Sequence, residues 1–124
     1  MRTPLEVAES YWAAECRRDI DAVMTHYNED ADYQDAGGAL HGLAEIRGFY
    51  EASAGDYPGL EVTILREFKG TSDSSALEVY AVLVDPEGRR FEIRGCNILT
   101  VRDGRIASLR CFEDPLVALP SGGR

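Results

Sequence analysis

The pattern of apolar and polar residues divides the chain into a helical N-terminal part and a strand-like C-terminal part. Leu5, Ala8, Trp12 and Cys16 recur every three or four positions, which predicts an amphipathic helix that ends near Arg18. The sequence TPLE at positions 3–6 has the form of a capping box at its start. Two further helices are predicted at residues 20–27 and 43–53, with sequences IDAVMTHY and LAEIRGFYEAS.

Strand-like runs follow the sequence GDYPG at residues 55–59. They are rich in β-branched and aromatic residues and lie at positions 60–68, 76–84, 90–101 and 105–113. Turn sequences at 85–88 and at Asp103-Gly104 predict hairpins between the last three. Helices first and antiparallel strands afterwards predict an α+β fold in which the helices cover one face of a curved sheet. The length of 124 residues fits a single domain spanning 1–124.

Composition and charge narrow the range of partners. Hydrophobic residues make up 44 % of the chain and charged residues 28 %, which is typical of a globular protein. The formal net charge of −9 argues against nucleic acid or an anionic membrane as a partner. Cys16, Cys96 and Cys111 have no CxxC spacing, so neither a disulfide framework nor a zinc site is expected. No apolar signal or membrane-spanning run is found, and we expect a cytoplasmic protein.

Strand alternation identifies two polar residues that point towards the predicted core. Asn97 shares a face with Phe91, Ile93, Leu99 and Val101. It is either a ligand-facing amide or a core residue satisfied by the backbone. Glu113 shares a face with Ala107, Leu109 and Cys111. It either faces inward or ends its strand in water.

Asp35 is the candidate base. Residues 31–35 alternate, so Asp35 lies on the same side as Ala31 and Tyr33, just before Gly37-Gly38. Desolvation against an apolar surface raises the pKa of an acid towards the range in which it exchanges protons at neutral pH. The alternative is an Asp that only shapes the turn before the two glycines.

Three tyrosines adjoin the apolar sides of the three predicted helices. They are Tyr11, Tyr27 and Tyr50, one from each helix. Buried phenols need hydrogen-bond partners, so the three hydroxyls can form a chain that ends at a developing oxyanion. The alternative is a set of rim aromatics whose hydroxyls face water.

These residues resemble the bacterial Δ5-3-ketosteroid isomerases, which have the cone-shaped fold shared with nuclear transport factor two and the SnoaL-type polyketide cyclases. The matching segments are ESYWAAECRRDIDAVMTHYNEDADYQDAGG at 9–38, HGLAEIRGFY at 41–50 and DGRI at 103–106. The resemblance implies a cone-shaped curved antiparallel sheet covered by three N-terminal helices. It implies that Asp35 is the proton-transfer base, that Tyr11 is an oxyanion donor, and that Tyr27 and Tyr50 support Tyr11. It also implies a homodimer.

Two positions depart from that family. In that family the second oxyanion donor is a carboxylic acid that its apolar site keeps protonated, a well-known case of pKa tuning. Asn97 stands at that position here. An amide still donates a hydrogen bond, but it is a weaker acid. Glu113 stands where the family often has an aromatic ring.

The mechanism implied by the resemblance is proton abstraction alpha to a carbonyl, with no metal or organic cofactor. The expected partner is a small apolar substrate of the steroid, polyketide or terpenoid class. Two other classes remain open. One is an epoxide-opening hydrolase or cyclase that uses Asp35 with Glu113 or Glu61. The limonene-oxide type also needs an Asp-Arg-Asp set, and the strand at 76–84 lacks its Arg and Asp. The other class is a non-catalytic ligand-binding module.

Overall fold

The computed structural model describes residues 2–115. Three helices and six strands follow one another along the chain. The helices are α1 (Pro4–Cys16), α2 (Ile20–Met24) and α3 (Leu43–Asp56). The strands are β1 (Tyr27–Asp35), β2 (Gly38–His41), β3 (Gly59–Lys69), β4 (Ser74–Val84), β5 (Arg90–Arg102) and β6 (Arg105–Pro115).

The six strands form one curved, unclosed sheet in the order β2-β1-β6-β5-β4-β3. Together with the N-terminal helices, this architecture is the predicted α+β cone fold. All neighbouring strands are antiparallel except β1 and β6, which run parallel. The parallel pair brings the end of β1, with Asp35, beside the last strand. The helices contribute the other half of the core, since α1 packs over β3, β4 and β5 while α3 packs over β1 and β2.

Local sequence signals account for several of these boundaries. The side chain of Thr3 accepts a hydrogen bond from the Glu6 amide, and Glu6 accepts one from the Thr3 amide, so the predicted capping box begins α1. The β5–β6 hairpin turns at Asp103 and Gly104, whose φ angles are 56° and 75°. Positive φ at both positions is the requirement of a type I′ turn, which explains Asp-Gly there.

The second helix is shorter than predicted. It ends at Met24, and Tyr27, which was expected on that helix, begins β1. Glu29 and Asp30 also lie in this strand. The reason is tertiary, because the backbone of His26 and Tyr27 pairs with Ile106 of β6. Backbone groups that would have extended a helix are satisfied by the sheet instead.

The buried side of α1 is rotated relative to the predicted apolar stripe. Leu5, Trp12 and Cys16 are only partly buried, whereas Tyr11 and Glu15 are buried, together with Val7, Ala8 and Ala14. The helix thus directs a tyrosine and a carboxylate inward. On α3, Ile46 and Tyr50 are buried and Phe49 packs beside them. Among the described helices, none combines the length and apolarity that a membrane crossing requires.

Candidate functional site

A cavity lies between the helices and the concave face of the sheet. This inner cavity measures about 110 Å³, and its polar lining includes Tyr11, Tyr50, Asn97, Glu15 and Arg18. Apolar lining residues come from β3, β4, β5 and β6 and include Leu60, Val62, Val79, Ala81, Ile93 and Leu109. The cavity therefore combines apolar side chains with polar groups that can orient a small molecule.

An outer mouth of about 360 Å³ adjoins the inner cavity. Asp35 lines the outer mouth but not the inner cavity, whereas Tyr11 and Asn97 line the inner cavity but not the mouth. The two spaces are adjacent, and both are lined by Tyr33, Phe49, Ser53, Leu83, Ile93 and Glu113. A ligand that spans both spaces would contact the Asp35 carboxylate in the outer mouth. It would contact the Tyr11 hydroxyl and the Asn97 amide in the inner cavity.

The three predicted tyrosines meet in the core, although Tyr27 arrives on a strand rather than a helix. The hydroxyl of Tyr50 is in the middle and forms hydrogen bonds with those of Tyr11 and Tyr27. All three residues are at least 96 % buried. Burial raises the pKa of each phenol. The hydroxyls therefore stay protonated over the physiological range and remain able to donate hydrogen bonds.

Asp35 ends β1 and is half-buried. Its Oδ2 accepts a hydrogen bond of 3.0 Å from the Tyr33 hydroxyl, and its Oδ1 accepts one of 2.7 Å from the backbone amide of Gly37. Two donors fix the carboxyl group at the outer mouth. This arrangement combines the two interpretations of the sequence, since Asp35 both shapes the turn and faces the cavity.

Glu113 pairs in register with Gly95 across the β5–β6 ladder and lines both spaces. The close packing here requires a glycine, because a Cβ on Gly95 would lie 2.9 Å from the Phe112 carbonyl oxygen. Partial burial, and secondly the charge of Asp35, raise the pKa of Glu113. Asp35 and Glu113 both line the outer mouth, where the charge of Asp35 disfavours the charged form of Glu113.

Asn97 lies on β5 and is 92 % buried, on the face that alternation predicted. Its side-chain amide has no hydrogen-bond partner among residues 2–115, yet neither of its polar atoms is sealed from open space. The backbone does not satisfy this amide, which is instead available to a ligand in the inner cavity.

Glu61 lies apart from these groups. It is exposed on β3, between Leu60 and Val62, whose side chains line the inner cavity. Because side chains alternate along a strand, Glu61 points to the opposite face of the sheet. The structure therefore does not bring Asp35 and Glu61 together in this cavity.

The family of the protein follows from a comparison with domain families. The family model described as "SnoaL-like domain" matches residues 8–109. The chain belongs to the SnoaL-like domain family. The match spans the tyrosines, Asp35 and Asn97, and ends before Glu113. A search of curated protein sequences found no match.

Solved structures share the fold of this SnoaL-like protein at low identity. A Δ5-3-ketosteroid isomerase from Mycobacterium sp. is 20 % identical, with 90 % of this chain and 93 % of that chain covered and a TM-score of 0.79. SalBIII, an epoxide hydrolase/cyclase-like enzyme of salinomycin pyran ring formation, is 21 % identical, with 90 % of each chain covered and a TM-score of 0.79. RV0760c from Mycobacterium tuberculosis, in complex with estradiol-17beta-hemisuccinate, is 19 % identical, covering 89 % and 93 %, with a TM-score of 0.78. At these identities the likeness establishes the fold alone.

Sequence reasoning missed two charged residues of this SnoaL-like cavity, Glu15 and Arg18. Glu15 follows Tyr11 by four positions, and that helical spacing alone could have indicated a shared face. Arg18 had no comparable signal, because its backbone adopts a left-handed conformation (φ 54°) after α1. Within residues 2–115, no group of three or more His, Cys, Asp or Glu side chains is placed to hold a metal ion.

Replacing Glu113 by Gln is expected to stabilise the protein at neutral pH. The pKa of Glu113 is higher in the folded protein than its ordinary value of 4.5, so its ionisation opposes folding once the pH exceeds that value. The free energy of unfolding should rise by less than about 1 kcal/mol, because solvent screens the Glu113 side chain. This increase should disappear as the pH falls to about 4. Urea denaturation at pH 7.5 and pH 4 measures this difference. Asp114→Asn, which removes a charge from the opposite face of β6, is the control; a gain for Glu113→Gln that is equal at both pH values would contradict the prediction.

Proposed function

We propose that this SnoaL-like protein is a cofactor-independent isomerase that moves a proton alpha to a carbonyl of an apolar polycyclic substrate. Asp35 is the base in this proposal, and Tyr11 and Asn97 stabilise the oxyanion. The observation that carries it is the distribution of the polar groups over two adjacent spaces. The Asp35 carboxylate lines the outer mouth, and the Tyr11 hydroxyl and the Asn97 amide line the inner cavity beside it.

The base has the surroundings that proton transfer requires. Each Asp35 oxygen accepts one hydrogen bond, from Tyr33 or from the Gly37 amide, which leaves further lone pairs to receive a proton from a C–H group. The carboxyl group is fixed by contacts that persist when the proton moves between it and the substrate. Asp35 can thus take a proton from one carbon and return it to another without leaving the mouth.

The oxyanion site combines two kinds of donor. Tyr11 belongs to a chain of hydroxyls in which Tyr27 and Tyr50 hold its orientation. No group within residues 2–115 bonds to the Asn97 amide, which can donate to the ligand oxygen without a change in protonation. Donors that are positioned before the reaction stabilise the negative charge that develops on an enolate oxygen.

The dimensions favour a substrate that is only partly enclosed. Drug-sized ligands occupy sites of about 300–1,000 Å³, so the inner cavity of about 110 Å³ accepts only the carbonyl-bearing end. The rest of a polycyclic molecule would lie along the outer mouth, against Phe49, Leu83 and Ile93. In this binding mode, the carbon next to the carbonyl would lie on the side of Asp35.

Epoxide opening is the second candidate, and the carboxyl pair favours it. Because partial burial and the charge of Asp35 raise the pKa of Glu113, the protonated form of Glu113 is more populated than that of an isolated glutamic acid at the same pH. Such a pair can protonate an epoxide oxygen while the carboxylate activates the nucleophile. In that mechanism Glu113, rather than Tyr11 and Asn97, is the essential partner.

The first test is single-turnover conversion of 5-androstene-3,17-dione to the conjugated enone, followed by ultraviolet absorbance. Under the proposal, the wild-type protein produces the enone at a rate proportional to enzyme-bound steroid. Binding of the steroid without conversion would contradict isomerisation of this substrate class. If the wild-type protein instead opens an aliphatic epoxide and Glu113→Gln does not, the second candidate is favoured. If the protein binds these ligands but catalyses neither reaction, a binding module is favoured.

A further inference from the structure

The inner cavity contains an ion pair that the proposed mechanism does not use. Glu15 is 92 % buried, and its Oε1 accepts a hydrogen bond of 2.6 Å from Nη1 of Arg18. The side chains of Glu15 and Arg18 are 10 % and 9 % exposed, and both residues line the inner cavity beside Trp12. Removing two charges from water to this extent is costly unless further hydrogen bonds satisfy them.

Arg18 has little capacity left for a ligand. Its Nε and Nη2 donate to the carbonyl oxygen of Tyr57, at 3.0 Å and 2.6 Å, while Nη1 donates to Glu15. The guanidinium group is therefore fixed between α1 and the segment that follows α3. It holds Glu15 in place and does not offer an anion a free pair of parallel N–H donors.

The second oxygen of Glu15 is different. Oε2 has no hydrogen-bond partner among residues 2–115. It is also not sealed, because Oδ1 of Asn28 is the only side-chain polar atom in this part of the chain that is both enclosed and unpaired. Oε2 of a cavity-lining residue therefore faces open space. A carboxylate oxygen accepts hydrogen bonds, so its complement is a donor.

The position of this oxygen separates it from the other acids. Asp35 and Glu113 belong to β1 and β6, whereas Glu15 belongs to α1, which packs mainly over β3, β4 and β5. Residues Leu60 and Val62 of β3 line the same cavity. In the sheet order, β1 and β3 are separated by three strands. Glu15 therefore lies on one side of the ligand space, and Asp35 and Glu113 lie on the other.

We propose that Glu15, held by Arg18, is a specificity residue that accepts a hydrogen bond from a hydroxyl group of the ligand in the inner cavity. The inference rests on the proposed use of this cavity for substrate, and it narrows the substrate class. The ligand is a neutral ring compound with a second oxygen function that donates a hydrogen bond on the α1 side. Anionic ligands are disfavoured, because Arg18, the only cation among residues 2–115 that lines the cavity, is already paired.

The test uses phenols that mimic an enolate oxygen and differ only at a second position. The probes are 2-naphthol, 2,6-dihydroxynaphthalene, 2,7-dihydroxynaphthalene and 6-methoxy-2-naphthol, titrated at pH 7.5 by calorimetry. At least one dihydroxy compound should bind the wild-type protein about tenfold more tightly than 2-naphthol, because a hydrogen bond to a charged acceptor is strong. Two equivalent hydroxyl groups by themselves improve affinity only by a statistical factor of about two, so a tenfold gain requires a new contact. The methoxy compound, which has no second donor, should show no such gain.

Glu15→Gln is the informative variant. Arg18 only donates, so the amide oxygen must keep that contact and the NH₂ group replaces the open oxygen. The preference for hydroxyl over methoxy should therefore fall to about threefold or less. Glu9→Gln, which neutralises an exposed acid on the same helix, should retain the wild-type preference.

The outcomes separate this inference from the proposed function. Binding of 2-naphthol with no gain from a second hydroxyl in the wild-type protein would overturn the inference and leave the oxyanion site intact. The same follows if Glu15→Gln keeps the full hydroxyl preference. Absence of binding by all four probes would overturn both the inference and the proposed phenol-binding oxyanion site. The comparison of ligands in the wild-type protein decides the matter even if the variant folds poorly.

Discussion

Asp35→Asn is expected to lower turnover of 5-androstene-3,17-dione by about 10²–10⁴-fold, because an amide cannot accept the proton that the base removes. Binding should change little. The amide oxygen of Asn can still accept from the Gly37 amide, and its NH₂ group can donate to the Tyr33 hydroxyl, so the local structure is preserved. Single-turnover absorbance measures the chemical step, and titration with the product enone measures binding.

The matched control for this variant is Asp32→Asn. Asp32 lies on the same strand but on its opposite, exposed face, where it pairs with His41. Removing its charge leaves the mouth of the cavity intact, so turnover should stay within about twofold of wild type. Turnover of Asp35→Asn at the wild-type rate would remove Asp35 from the mechanism. Equal losses in both variants would point to net charge rather than to proton transfer.

Tyr11→Phe is expected to reduce turnover by about 10²–10³-fold, the usual effect of removing one oxyanion donor. The phenyl ring keeps the packing in the core, so the change is confined to the hydroxyl. Tyr50 keeps its hydrogen bond with Tyr27, and the remaining polar lining of the inner cavity is unchanged. The loss should appear in the rate of the chemical step more than in steroid affinity, because the donor acts on charge that develops during the reaction.

Tyr27→Phe separates catalysis from stability. The Tyr27 hydroxyl also bonds to Tyr50, but Tyr27 does not line the inner cavity. Tyr11→Phe and Tyr27→Phe each remove one buried hydrogen bond between hydroxyls. Each should therefore lower the free energy of unfolding by about 0.5–1.5 kcal/mol. Turnover of Tyr27→Phe should nevertheless fall only a few-fold, since it merely positions Tyr50 and thereby Tyr11. Thermal melts and single-turnover rates on both variants test this, and similar rate losses for the two would refute a direct role for Tyr11.

Short-range features of the sequence were enough for much of the fold and part of the site. The capping box began α1, and Asp103-Gly104 formed the predicted turn, because both depend only on neighbouring residues. Alternation along β5 put Asn97 on the cavity side, since the side-chain period of a strand is two wherever the pairing is regular. Along β6 the alternation also held for Leu109, Cys111 and Glu113, which all line the inner cavity.

Long-range pairing decided what these local rules could not. Near the start of β6 a register shift opposite Thr100 and Val101 leaves Ala107 unpaired and Ile106 buried, so alternation fails there. Tyr27 joined a strand because a parallel partner 79 residues away, Ile106, satisfied its backbone. No local pattern specifies such a partner, which is why a helix was predicted instead.

The sequence by itself determined the fold class, the three helices and four of the strands, and the polar residues from which a site could be chosen. Only the tertiary structure decided which of those residues share a cavity. It brought Asp35 beside Glu113 through the parallel β1–β6 pair, left Glu61 outside, and buried Glu15 with Arg18. The physical reason is that alternation and helical spacing give the direction of a side chain within its own element. The register between distant strands, and the rotation of a helix over the sheet, set what that side chain meets.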